Sequence, residues 1–194
     1  MHKSILLFVC AVVAALFAGG CRTSPVVIVS KPVPVIGQQT QLWCWAASGE
    51  MIMNFLGADP PVRQCDEANR RFGKTNCCDS PTPRNCIKSG WPEFDKYGFT
   101  AEQTKNEQLT WDQVRGQIDR NKPFACSWHC NGGGGHMAVA IGYLFIAGQQ
   151  WVVINDPWPP GKGDTKVSLY NAYVSGPDYT HWNDYYNITK QSKP

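Results

Sequence analysis

Segment 38–56 constrains the fold of this chain most, because it leads from a polar turn directly into an apolar run with helical spacing. Apolar side chains recur there at every fourth position, at Ala47, Met51 and Phe55. This periodicity predicts a buried helix over residues 43–56. Cys44 falls in its first turn, where free N–H groups and the helix dipole stabilise a thiolate. The segment therefore predicts a nucleophilic thiol at the start of a core helix.

A nucleophilic thiol needs a base. Beyond the N-terminal leader the chain has three histidines: His129, His136 and His181. His136 is the best placed, because it follows the glycine run 132–135 and opens the strand-like run 137–143. Side chains alternate along a strand, so His136 shares its face with small residues while the bulky residues line the other face. We therefore assign His136 as the base.

The base needs an orienting group, and Asp156 is the candidate. A hairpin centred near Ile146 makes His136 and Asp156 a cross-strand pair, because each lies ten residues from that centre. A carboxylate there would accept a hydrogen bond from the imidazole and fix its tautomer. Asn155 is the neighbouring alternative, but it should point to the opposite face of the strand.

The order of predicted elements indicates an α+β domain, with helices first and strands second. Helices are predicted over residues 43–56, over 62–72, and from a capping box at Thr110 to residue 120. Residues 74–92 are predicted to form a loop. Strands are predicted over residues 123–128, 137–145, 151–155 and 166–170, between Gly-rich or Pro-rich turns.

The N-terminus has the pattern of an export signal. Lys3 precedes an apolar run over residues 5–17, and small residues follow it. We expect residues 1–20 to be a signal peptide. The sequence Ala18-Gly-Gly-Cys21 resembles a bacterial lipobox, although leucine is usual at the position of Ala18. Cys21 would then be lipidated and would anchor the chain to the bacterial envelope, at the outer membrane. The alternative is an ordinary secretory signal, which also exports the chain.

Residues 21–36 are rich in proline and valine and are predicted to form an extended tether. Residues 37–194 have the size of one domain with a full core. The net charge is +3, and no basic run exceeds two residues. Nothing therefore recommends nucleic acid or a polybasic membrane patch.

Cysteine usage fits an oxidising compartment. Of nine cysteines, Cys10 leaves with the signal peptide, while Cys21 and Cys44 have roles of their own. Six then remain for disulfides: Cys65, Cys77, Cys78, Cys86, Cys126 and Cys130. The adjacent cysteines 77 and 78 should have different partners. We expect Cys126 to pair with Cys130, and the other two to serve the adjacent pair.

Segment 38–45 resembles the active-site helix of papain-like cysteine peptidases, which have a glutamine, five residues and then Cys-Trp. Among the neighbouring glutamines only Gln38 has this spacing to Cys44, so the resemblance implies that Gln38 stabilises the oxyanion. Gly-His136 and Asp156-Pro-Trp158 follow in the family's order. Most papain-like enzymes have asparagine in place of Asp156, and bacterial members also use aspartate. Trp158 would shield the His–Asp contact from water. Among these enzymes, the chain resembles the bacterial staphopains and the plant-pathogen avirulence-effector peptidases.

The resemblance implies a helical half and an antiparallel sheet or barrel half, with the active site in the cleft between them. It implies a peptidase in which Cys44 forms a thioester acyl-enzyme, without a metal or cofactor. The expected partners are a protein or peptide substrate, a membrane reached through the lipid on Cys21, and a separate inhibitor or immunity protein.

Three other functions stay open. A transglutaminase-like enzyme or an amidase could use the same triad, because only the substrate pocket distinguishes them. A zinc site could be drawn from Cys126 and Cys130 with His129 or His136, although the spacing is not a standard zinc pattern. A catalytically silent, surface-anchored binding protein could also keep this fold.

Overall fold

The strand-like runs of the second half belong to one antiparallel sheet of seven strands. The computed structural model describes residues 26–192, so the predicted signal peptide and the predicted lipidation site Cys21 lie outside the described residues. The strands are β1 (Val27–Ser30), β2 (Phe99–Gln103), β3 (Phe124–Cys130), β4 (Gly135–Ile146), β5 (Gln149–Asp156), β6 (Asp164–Leu169) and β7 (Tyr179–Lys190). Their order across the sheet is β2-β7-β3-β4-β5-β6, and β1 pairs with β4.

The predicted helices are present, with ends within two residues of the expected positions. The α-helices of the described residues are α1 (Cys44–Phe55), α2 (Gln64–Phe72), α3 (Trp111–Asp119) and α4 (Tyr170–Val174). The capping box of α3 forms between Thr110 and Gln113 as expected. Within residues 26–192, no helix has the length and apolarity needed to cross a bilayer. The α+β prediction is therefore confirmed.

The sheet separates two apolar clusters. On one face α1 packs Met51 and its neighbours against the bulky row of β4, which includes Val139. On the opposite face Ile118 of α3 packs with the small row, which includes Ala138 and Ala140. From Met137 to Ile141 the two rows predicted for β4 therefore face different helices, and both faces of the strand are buried. Tyr143, which was expected in the bulky row, packs instead on the α3 side.

The loop between α2 and β2 is fastened to the active-site helix. Two disulfides close it, Cys65–Cys78 and Cys77–Cys86, so the adjacent cysteines have different partners as expected. The indole N–H of Trp43 donates to the Cys86 carbonyl at 2.9 Å, and that of Trp45 donates to the Lys88 carbonyl at 3.2 Å. Hydrogen bonds from both sides of Cys44 thus hold the loop against the first turn of α1.

The predicted disulfide between Cys126 and Cys130 is wrong, because both thiols are free. The two residues lie four apart on the extended strand β3, which separates their Cα atoms by about 13 Å, whereas a disulfide spans at most about 7 Å. Cys126 is buried, with its Sγ 3.6 Å from the Ala138 carbonyl oxygen, and Cys130 is exposed.

Part of the predicted tether 21–36 belongs to the sheet. Residues Val27–Ser30 form β1, which pairs antiparallel with the outer half of β4. Val33 is buried, and its carbonyl accepts a hydrogen bond of 2.9 Å from the Asn155 side chain. The chain therefore enters the domain before residue 37.

Candidate active site

The hairpin of β4 and β5 brings His136 and Asp156 together, but not as the direct pair that the sequence predicts. The turn lies at residues 147–148, and the register near it pairs Ile146 with Gln149. A bulge between Ala140 and Gly142 shifts the register farther along, so that Ala140 pairs with Ile154. Asp156 therefore lies diagonally across from His136 on the same face, and the side chains meet.

His136 is bonded to a carboxylate through one ring nitrogen. Its Nε2 is 2.7 Å from Oδ1 of Asp156, and 29% of its side chain is exposed. The ring also stacks on Trp128, its cross-strand neighbour, with centroids 6.4 Å apart. Burial alone lowers the pKa of His136, but hydrogen bonds and charges of Asp156 and Cys44 outweigh it and raise the pKa from 6.5 to about 9. The imidazolium is therefore the form that this site favours.

Asp156 has partners on both carboxylate oxygens. Oδ1 accepts from His136 and, at 2.9 Å, from the backbone N–H of Trp158. Oδ2 accepts from the ammonium of Lys166 at 2.6 Å. Burial alone raises the pKa of Asp156, but His136, Lys166 and the Trp158 N–H together lower it from 3.8 to about 2. The orienting group is thus a fixed carboxylate, and Lys166 is a contact that the sequence analysis missed.

Cys44 is the first residue of α1 and has a half-buried, free thiol. Cys44 is close enough to His136 to be among the groups that raise the pKa of the imidazole. Because Nε2 faces Asp156, Nδ1 is the ring nitrogen left for the sulfur. The three groups therefore form the chain thiol–imidazole–carboxylate, which is the arrangement of an activated nucleophile.

Gln38 is buried in the wall of the same cleft. Its side-chain nitrogen donates to the Thr40 carbonyl at 2.7 Å, which leaves the second N–H of the amide free. Its backbone bonds to the turn after β5, through the Pro157 carbonyl and the Gly161 N–H, each at 2.9 Å. A Cβ atom at Gly37 would lie 2.4 Å from the backbone nitrogen of Lys162, so only glycine allows the two backbone segments to approach this closely. The backbone bonds thus link Gln38 to the turn that carries Trp158.

The cleft beside the triad has a volume of about 550 Å³ and runs between the helical half and the sheet. Its aromatic walls come from three places: Trp45 of α1, Trp91 of the disulfide-bonded loop, and Trp158, Trp182 and Tyr185 of the sheet half. Among the described residues that line it, the titratable side chains are those of His136, Cys44 and Tyr185, and none is a carboxylate, a lysine or an arginine. The backbone N–H of Trp158 donates to Asp156, while its ring, in a residue that is 47% exposed, lines the cleft.

The remaining candidate residues do not join this constellation. Asn155 points to the opposite face, as expected, where it bonds to Val33 and Thr165. His181 is buried, with Nε2 3.1 Å from Asp184, and His129 stacks on Trp182. Cys126, Cys130 and a histidine do not form a group of converging ligands within the described part of the chain. Within residues 26–192, the one group of three metal-type ligands is Cys65, Asp66 and Cys78, whose sulfurs are bonded to each other.

Fold and site together define a papain-like cysteine peptidase. Among solved structures, the chain is similar to digestive procathepsin L 3 of the Tenebrio molitor larval midgut. That match has a TM-score of 0.50 and 12% identity, and it covers 88% of this chain and 72% of that one. A likeness at this identity shows the fold alone. No curated protein sequence matches the chain significantly.

The family is set by a sequence match rather than by the fold. The profile described as papain-like cysteine protease AvrRpt2 matches residues 28–175, well over half of the chain. The protein belongs to this family and is a cysteine peptidase. The expected resemblance to plant-pathogen avirulence effectors is thereby confirmed.

Proposed function

We propose that this peptidase hydrolyses peptide bonds with Cys44 as nucleophile, His136 as general base and acid, Asp156 as orienting carboxylate and Gln38 as oxyanion donor. The observation that carries the proposal is the 2.7 Å bond between Nε2 of His136 and Asp156, which leaves Nδ1 of the imidazole available to the sulfur. An imidazolium whose pKa is raised to about 9 is the counter-ion that a reactive thiolate requires.

The reaction proceeds in two acyl-transfer steps. The Cys44 thiolate adds to the peptide carbonyl, and the oxyanion is held by the Gln38 amide and the Cys44 backbone N–H. His136 gives its proton to the leaving amine as the C–N bond breaks, which leaves a thioester. His136 then takes a proton from water as the hydroxide adds to the thioester carbonyl, and the C–S bond breaks, which releases the carboxylic acid and the Cys44 thiolate and so restores the thiolate–imidazolium pair.

The substrate is a protein or peptide segment that lies in the cleft in an extended form. The aromatic walls contributed by Trp91, Trp158 and Trp182 favour uncharged, bulky side chains, because burial of apolar area is the main available gain there. A transglutaminase-like activity would instead transfer the acyl group to an amine, which the same assay can detect as amine incorporation.

Export and anchoring through a lipid on Cys21 form the second part of the proposed function. The signal-like residues 1–20 support them, and the two disulfides of the described residues fit an oxidising compartment. Expression in a Gram-negative host with radiolabelled palmitate tests this part. Label on the wild type that is lost in Cys21→Ser supports it, and an unlabelled, secreted product contradicts it.

The catalytic assignment is tested by labelling the mature protein with an epoxide inhibitor of papain-like enzymes, followed by peptide mapping and a casein-hydrolysis assay. We expect an adduct on Cys44 that is lost in His136→Ala, with hydrolysis lost in Cys44→Ser and kept in Cys130→Ser. Cys130 is the matched control, because its thiol is free like that of Cys44 and is more exposed to solvent. A folded protein without a Cys44 adduct would refute the mechanism and favour a silent binding protein.

A further inference from the structure

Lys166 makes a contact with the triad that the proposed mechanism does not use. It lies on β6, where it pairs with Ile154 of β5, while Asp156 pairs with Asp164. The Lys166 side chain therefore leaves the sheet on the same face as Asp156, because its partner Ile154 lies two residues before Asp156 on β5. Its ammonium is 2.6 Å from Oδ2, the carboxylate oxygen that His136 does not contact.

The contact differs from an ordinary surface ion pair in the burial of one partner. The Asp156 side chain is 12% exposed and the Lys166 side chain is 50% exposed. Exposed pairs contribute little because water screens both charges. Here the carboxylate is largely shielded from water. Without Lys166, its Oδ2 would have only the solvent at the sheet edge as a hydrogen-bond partner.

We propose that Lys166 is a positioning residue of the peptidase, whose ammonium holds Asp156 by its outer oxygen so that the inner oxygen stays directed at Nε2 of His136. This inference rests on the proposed function of the triad. Lys166 does not line the cleft, so it acts on the imidazole through Asp156 and not on the substrate.

The charges around Asp156 come from four elements. His136 of β4 and Lys166 of β6 contact it directly, and Asp164 is its backbone neighbour on β6. Cys44 of α1 lies on the other side of the imidazole. The buried Cys126 thiol of β3 is close enough for the charge of Asp156 to raise its pKa. Lys166 is the one lysine or arginine among the described residues that contacts this group.

The sign of the expected effect follows from the charge that is removed. A cation beside a site favours the deprotonated form of every neighbouring group. Its loss therefore raises the pKa of Asp156 and of His136 together. Both limbs of the pH profile should move to higher pH, whereas loss of packing alone would lower the rate without moving either limb.

The test measures kcat/KM against pH for the wild type, Lys166→Met, Lys166→Arg and the control Lys162→Met. Lys162 is an exposed lysine of the preceding turn, so its removal changes the net charge equally. We expect both limbs of Lys166→Met to move up by roughly half a pH unit or more, with KM unchanged. Lys166→Arg should restore the wild-type profile, and Lys162→Met should keep it.

A second readout keeps the outcome independent of substrate hydrolysis. The rate of Cys44 alkylation by iodoacetamide, followed by peptide mapping at each pH, reports the thiolate–imidazolium pair directly, with Cys130 as internal reference. Superimposable profiles for folded Lys166→Met and wild type would overturn the role of Lys166 and leave the proposed function intact. A wild type without His136-dependent alkylation would overturn both. If Lys166→Met does not fold, Lys166→Gln takes its place under the same criteria.

Discussion

Replacing Asp156 by asparagine tests whether charge or only geometry makes the carboxylate important. Asparagine is isosteric, and its side-chain oxygen can still accept from Nε2 of His136 and from the Trp158 N–H. The amide nitrogen would then face Lys166, so the ion pair at 2.6 Å is lost as well. Because papain-like enzymes most often use asparagine here, we expect Asp156→Asn to fold and to remain active with an altered pH profile.

The size of the change follows from the pKa of His136. A rise from 6.5 to about 9 corresponds to roughly 3 kcal/mol in favour of the imidazolium, at about 1.4 kcal/mol per pKa unit. Asp156 is the first of the groups that raise this pKa. If the Asp156 charge supplies half of this rise or more, the alkaline limb of the pH profile of Asp156→Asn moves to lower pH by at least about one unit. At pH 7.5 the imidazolium fraction would then fall from nearly all to roughly three-quarters or less.

The assay is the pH dependence of kcat/KM with a fluorogenic peptide, measured beside thermal unfolding at each pH. The control is Asp164→Asn, which removes the same charge from the residue paired with Asp156, at an exposed position. Its alkaline limb should match the wild type. An alkaline limb of Asp156→Asn that stays within about 0.3 pH units of the wild type would refute the claim that the carboxylate charge raises the pKa of His136.

Three further predictions follow from the site. Gln38→Ala should lower kcat by about 100-fold or more, without changing the alkylation rate of Cys44, since the amide acts on the oxyanion; unchanged kcat would contradict this role. The double variant Cys77→Ser, Cys86→Ser should lose about 2.5 kcal/mol of unfolding free energy and raise KM, as measured by denaturation and kinetics. Below pH 6.5 the raised pKa of His136 adds its full stabilisation, which is lost as pH rises through about 9; a wild-type melting temperature that does not fall over that range would contradict it.

The local signals of the sequence were sufficient for the helices. The four-residue spacing after Cys44 predicts α1 to within one residue at either end, and the Thr110 capping box predicts α3. Both signals depend on residues close together in the chain, and burial of one helix face is enough to make them visible. The family resemblance added the cleft and the choice of Gln38 among the neighbouring glutamines, which local periodicity alone does not provide.

The strands that the sequence analysis missed lack a regular alternation. In β7 the buried residues are His181, Asp184 and Ile188, at intervals of three and four, because its pairing with β3 shifts register between Cys126 and Trp128. In β2 only Phe99 is buried, since the strand lies at the sheet edge. A period of two cannot be detected where a register shift or a solvent-exposed edge removes it.

Long-range pairing explains why Lys166 was not identified. Nothing in its sequence neighbourhood distinguishes it from Lys162, and its role depends on the register of β6 against β5. The failed pairing of Cys126 with Cys130 has a related origin. Counting cysteines assumes that every leftover thiol finds a partner, but a straight strand holds residues four apart out of reach of each other.

The choice between Asp156 and Asn155 depends on a single bulge. If the register at the hairpin turn continued unchanged, the residue opposite Val139 would be Asp156 and the residue opposite Ala140 would be Asn155. Directly paired residues share a face, so asparagine would then orient His136 and the carboxylate would enter the apolar cluster on the α1 side. The bulge between Ala140 and Gly142 reverses this parity. Gly142 is also where β1 passes, because a Cβ there would lie 2.5 Å from the Val29 carbonyl oxygen. The pairing of β1, which lies in the segment predicted to be a tether, and the identity of the orienting residue are therefore set at the same point of β4.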